Sequence, residues 1–193
     1  MRYLTEEQIK AYNRSEIPTE DNEWYGFAGE YAEQFLDTSC QRRFVVASAS
    51  SARVYVPNSC DRLRIHDCTT ITSVSNNGTA VTPVDYQAYP LNNLTWAGET
   101  VPTEELVLHT GGSWYEYGAK ATVTVTAAWG WLAIPDRIVQ AALIVAKEII
   151  VNRDEVKLGI IGFSDVGGVV ARTNPIVRDV IRDYRRVEAW GIG

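Results

Sequence analysis

The run Ile138–Val151 (IVQAALIVAKEIIV) narrows the possible folds more than any other part of the chain, because it is apolar on nearly every side apart from Gln140, Lys147 and Glu148. Pro135 and Asp136 open it as a helix: proline lacks an N–H that the first turn leaves unpaired anyway, and aspartate suits the positive end of the helix dipole. A helix without a broad polar face has to be enclosed. It is too short and too interrupted to cross a bilayer, so either the chain's own core surrounds it or neighbouring subunits complete its burial. The second option points to an oligomer, with Ile144 and Ile149 as subunit contacts.

Two further helices can partner this one. A short helix is predicted over Thr5–Asn13, and a longer one over about 19–40, where Trp24, Phe27, Ala28, Tyr31, Phe35 and Leu36 recur at helical spacing. That phase puts the aromatics inward and Glu20, Asp21, Glu23, Glu30, Glu33 and Asp37 in solvent. Gly26 and Gly29 weaken the helix by about 1 kcal/mol each, so packing must hold it, or they permit a close neighbour. At the other end, Asn174 and Pro175 start a helix to about 188, with Ile176, Val177, Val180, Ile181, Tyr184 and Val187 on one face and Arg178, Asp179, Arg182, Asp183, Arg185 and Arg186 on the other.

Between these helices, from Phe44 to about Trp129, β-branched and aromatic runs alternate with turn residues. Asn77-Gly78 predicts a hairpin tip, since both turn positions tolerate positive φ, and Thr122–Thr126 alternates threonine and valine as a strand with two distinct faces. The predicted class is therefore α+β: a helical core over 1–43 and 130–193, with an antiparallel β module inserted over 44–129. Gly159, Gly162, Gly167 and Gly168, interspersed with Ile160, Ile161, Phe163, Val166, Val169 and Val170, predict a long loop or arm over 153–174. Ile160, Ile161, Phe163 and Val169 are its candidate contacts with a neighbour, because branched apolar side chains on a flexible segment gain by being covered.

The chemistry of catalysis is hard to find. Cys60, His66 and Cys68 lack the fourth soft ligand and the paired C-x-x-C spacing of a structural zinc site, and they read instead as thiols flanking a strand centred on Ile65. His109, beside Gly111 and Gly112, has no nucleophile pattern and reads as a strand end. The glycines after 158 lack the Lys and Ser/Thr of a phosphate loop. Asn77-Gly78-Thr79 and Asn93-Leu94-Thr95 match glycosylation acceptors by chance, since the N-terminus MRYLTEEQIK has no apolar signal core. No enzymatic site, metal or cofactor is expected, and a soluble protein made in a cytoplasm is. The net charge of −6, from 24 acidic and 18 basic residues, argues against tight binding of nucleic acid.

The arginines of the last helix are either a solvated face paired with its aspartates or a docking surface. Trp190 and Ile192 at the chain end favour docking, because bulky apolar groups there call for a partner to cover them.

The order of parts resembles the head-to-tail connector (adaptor) family of long-tailed bacteriophages, actinobacteriophage type. The residues that carry the resemblance are Thr124–Trp131 (TVTAAWGW), Ile134-Pro135 and the helix Asp136–Ala146 (DRIVQAALIVA). It continues through Asn152–Phe163 (NRDEVKLGIIGF), Val169–Ala171, the closing helix around Tyr184, Arg185 and Arg186, and Asp85–Asn92 (DYQAYPLN) in the β insertion. The resemblance implies a homo-oligomeric ring of twelve subunits in the virion neck, assembled in the host cytoplasm. Such a ring binds the portal on one side and a stopper or tail-terminator protein on the other, and double-stranded DNA passes through it. Portal docking then falls to Arg182, Arg185, Arg186, Trp190 and Ile192. The alternatives are a stopper or tail-completion protein of the neck and, from another class, a β-rich ligand-binding module.

Overall fold

The computed structural model describes residues 3–13, 22–57, 59–94, 98–109, 111–114, 122–152, 166, 169–170 and 174–186. The class is α+β, and the chain divides into two compact units, Met1–Phe44 with Ile134–Gly193, and Val45–Ala133.

In the helical unit, α1 (Glu6–Tyr12) starts at a reciprocal cap: Gln8 N donates to Thr5 Oγ1 (3.2 Å) and Thr5 N to Gln8 Oε1 (2.8 Å). α2 (Asn22–Cys40) packs on α1 and chiefly on α3 (Asp136–Val151), and α4 (Pro175–Tyr184) packs on α2 and α3. α3 buries Ile138, Ala141, Ala142, Ile144, Val145, Ala146, Ile149 and Ile150. Its five branched side chains alone contribute roughly 10 kcal/mol by leaving water. Enclosure is thus supplied by the chain's own helices: Ile149 is 0% and Ile144 8% exposed, which leaves almost no side-chain surface for a second chain. Both residues, expected as subunit contacts, are thus covered by their own unit in the single copy.

The phase of α2 also differs from expectation. Its buried stripe is Tyr25, Ala28, Gly29, Ala32, Leu36 and Cys40, whereas Phe27 is 59% exposed. Small residues on α2 and the alanines of α3 let two helices that pack together approach closely, and this displaces the larger aromatics to the flanks. Glu33, expected in solvent, is 2% exposed. Its Oε1 accepts hydrogen bonds from Tyr3 N and Leu4 N, both at 2.8 Å, so a carboxylate anchors the segment leading into α1. Phe44 joins the ends of the unit, edge-on to Tyr3 (6.4 Å between centroids) and to Tyr184 (6.2 Å).

The second unit is a six-stranded antiparallel sheet of β1 (Ser51–Tyr55), β2 (Arg62–Asn76), β3 (Thr79–Val81), β4 (Tyr86–Tyr89), β5 (Thr103–Leu108) and β6 (Val123–Trp129), in the order β1-β6-β2-β5-β4 with β3 on β2. β2 is its spine and is far longer than a strand centred on Ile65. Cys68 therefore lies inside it, buried, and Cys60 lies before it, exposed. Burial on β2 follows Leu63 and Ile65, then changes phase to Cys68 and Val74. The change coincides with register shifts between Arg64 and Cys68 against β5 and between Cys68 and Thr70 against β6, as an inserted residue turns later side chains to the other face. β6 alternates without a break: Val123, Val125, Ala127 and Trp129 are buried, and Thr124 and Thr126 half-buried. The β2–β3 hairpin turns at Asn77 and Gly78, both with positive φ (48° and 85°). His109 follows the end of β5, as its neighbours predicted.

The first and last segments of this unit run side by side. Trp131 N donates to Val45 O and Ala47 N to Trp131 O, both at 2.8 Å, in a short parallel bridge of Val46 with Trp131. Gly130 makes the approach possible: its φ is +128°, and a Cβ there would sit 2.4 Å from Val45 O. Gly130→Ala is therefore expected to lower stability by about 3 kcal/mol or more, read as a lower urea midpoint with unchanged m-value. Glu33→Ala should cost about 2–3 kcal/mol in the same assay, because two N–H groups lose their acceptor, while Glu33→Gln, which keeps a carbonyl oxygen, should cost less.

Candidate interaction surface

The sheet unit brings together a histidine, a tyrosine and an arginine. His66 Nδ1 lies 2.7 Å from Tyr55 Oη, which also accepts from His66 N, and Arg53 stacks 4.4 Å above Trp129. Burial, helped by the adjacent Asp67, pushes the Cys68 thiol up to about 12, and burial likewise raises Cys40 to about 12, so both are poor nucleophiles. A cavity of about 290 Å³ is lined by Asn76, Val84, Asp85, His109, Ser113 and Trp114 among others. There Asp85 Oδ2 accepts from Thr82 Oγ1 (2.6 Å) and Asn76 Nδ2 donates to Ser113 O. Among the described residues, no group of three His, Cys, Asp or Glu side chains could hold a metal ion.

The helical unit carries the more informative surface. Asn174 Oδ1 accepts from Ile176 N (3.0 Å) and Val177 N (3.3 Å) and starts α4 behind Pro175. The helix then buries Val177, Val180 and Tyr184. Its outer face splits lengthwise: Arg178, Arg182 and Arg185 are exposed at i, i+4 and i+7, with Asp179 and Asp183 along their flank. Arg182 bridges its own helix, with Nη1 3.1 Å from Asp179 Oδ1 and Nη2 3.1 Å from Asp183 Oδ1. Arg137 of α3 reaches Asp183 Oδ2 at 3.0 Å.

Partial burial pushes the Asp183 carboxyl up, but hydrogen bonds from Arg137 and Arg182 outweigh it and hold the group below its ordinary value. The C-terminal end of α4 is tied down as well: Arg42 Nε donates to Tyr184 O (2.8 Å) and Arg186 N to Cys40 O (2.9 Å).

Of the residues expected to dock on a portal, Arg182 thus has donors engaged within α4, Arg185 is the exposed C-cap, and Arg186 is half-buried. Trp190 and Ile192 lie outside the described residues, as do Ile160, Ile161 and Phe163 of the expected arm. Val166, Val169 and Val170 are helical rather than extended; Val169 is 50% exposed, the other two buried. Sequence reasoning missed the outward-facing Phe27 of α2. The small residues Ala28, Gly29 and Ala32, which form the true inner stripe, were the available signal.

Asp183 gives a pH test. A carboxyl whose folded pKa is depressed adds stability above its unfolded pKa and loses it as pH falls through the folded value. Asp183→Asn should therefore lower stability by about 0.2–1 kcal/mol at pH 7, and the difference from wild type should shrink as pH falls below the ordinary aspartate range and vanish once the depressed carboxyl is itself protonated.

No protein-family model matches this sequence, and comparison with curated proteins finds no match either. Among solved structures, the chain is similar to one described as the neck of an empty GTA (gene transfer agent) particle computed with C6 symmetry, with a TM-score of 0.57 and 14% identity over 97% of this chain and 92% of that chain. At that identity the likeness is one of fold, and it extends over both units.

Proposed function

We propose that the chain is a non-enzymatic structural subunit of the neck of a phage-like particle, a head-to-tail connector that assembles as a ring between portal and stopper or tail terminator. The observation that carries this reading is the likeness to a neck chain along nearly the whole length of both proteins. The sequence resemblance to the connector family rests on other grounds, the order of motifs from Thr124 to Phe163, and leads to the same place. A ring of twelve contains a sixfold axis and so agrees with the symmetry used for the neighbour's neck.

The net charge of −6 suits a conduit through which DNA slides, because fixed acidic charge disfavours adhesion of phosphates. The portal contact is assigned to the end of the chain, Arg186 with Trp190 and Ile192. Aromatic anchors such as Trp190 dominate binding energy. Double-stranded DNA is a passing occupant, and the virion neck is the place of residence.

Purified portal rings immobilised on a support should capture the full chain and should fail to capture a chain lacking residues 190–193, while circular dichroism of the two remains the same. Equal capture would move the docking surface elsewhere. Capture by a tail terminator but never by a portal would favour a stopper role.

A further inference from the structure

We infer that α2 of one copy docks on α4 of the next through two complementary strips: Glu23, Phe27 and Glu30 on the first, and Arg178, Arg182 and Arg185 on the second. This rests on the neck reading, since it names the contact by which copies would join. The exposed edge of α2 carries Glu23, Phe27 and Glu30 at i, i+4 and i+7, and no lysine or arginine occurs between Asn22 and Cys40. Phe27, 59% exposed, lies between the two carboxylates. The exposed edge of α4 repeats this spacing with arginines. Both strips are about 10 Å long at the helical rise per residue.

Laid against each other, two glutamates face the two outer arginines, and the Phe27 ring meets the guanidinium of Arg182. That guanidinium donates from Nε and Nη2 to Asp183 Oδ1 (3.2 and 3.1 Å), its Nη1 lies 3.1 Å from Asp179 Oδ1, and its side chain is 69% exposed. A guanidinium held in this way offers its flat face to an aromatic ring, which is the geometry of a cation–π contact. An apolar anchor with charged flanks is the anatomy of an interface patch.

The two strips are different surfaces of one unit, so the contact is head-to-tail and can close into a ring, whereas a self-matching patch would stop at a pair. Arg182 and Arg185 then serve the neighbouring copy, and the portal contact is left to Arg186, Trp190 and Ile192.

The test is charge reversal in the full chain, read as mass by analytical ultracentrifugation and as rings by electron microscopy, with and without portal. Glu23→Arg with Glu30→Arg should reduce the ring fraction about tenfold or more, and so should Arg178→Glu with Arg185→Glu. Combining all four should restore rings. Phe27→Ala should weaken them without lowering the melting temperature, because the ring it removes is exposed in the single copy.

Rings unaffected by either reversal would overturn the contact while leaving the neck reading intact. A fourfold variant that stays dispersed, or reversed variants that still form rings but no longer capture portal, would overturn it as well. A wild-type chain that forms no ring under any of these conditions would sink the neck reading itself.

Discussion

α3 can exist only if something surrounds it, and the rest of the helical unit follows from that requirement. Ile138, Val145, Ile149 and Ile150 are almost wholly removed from water by α1, α2 and α4, which come from both ends of the chain. α2 precedes the β insertion and α3 follows it, yet their packing is the principal helix–helix contact of the unit. An insertion of this kind has to begin and end at nearly the same place. The Val45–Ala47 segment hydrogen-bonds to Trp131, and Gly130 is the one residue type that admits this approach, so the β unit closes on itself where it joins the helical unit in sequence.

Polar groups complete the helical unit where apolar burial cannot. Glu33 accepts two backbone N–H groups from the segment before α1, and Arg42 and Arg186 tie the end of α4 to the end of α2. These bonds join residues far apart in sequence, and each is worth more than a surface ion pair because its partners are shielded from water. The ion pairs on the outside of α4 are different in kind. Exposed pairs stabilise little, so the arrangement of Arg178, Arg182 and Arg185 matters less for folding than for what the surface can meet.

Periodicity and caps located α1 to α4 and the alternating strand β6. The helices begin and end within a few residues of where Thr5, Pro135 and Asn174 place them, since caps and prolines act locally. The Asn77-Gly78 turn and the alternation of β6 were legible for the same reason: each depends on neighbours in the chain. The α+β class follows from this local information, because helical and strand periods occupy separate stretches of sequence.

What sequence alone left open was decided by packing between distant segments. The rotation of α2 about its axis placed Phe27 outside and Glu33 inside, because close contact with α3 selects small residues and because the segment before α1 brings N–H groups that a buried carboxylate can satisfy. The phase change along β2 arises from its two partner strands, whose registers no local pattern specifies. Arg182 illustrates the same limit on the surface. Its type and spacing were visible from the start, but its pairing with Asp179 and Asp183, and the side-by-side exposure of three arginines, depend on which face of α4 the core takes up. Sequence determined which elements form, through interactions a few residues apart. Tertiary structure decided which faces they turn to each other and to solvent, because that choice is made by contacts across more than a hundred residues of chain.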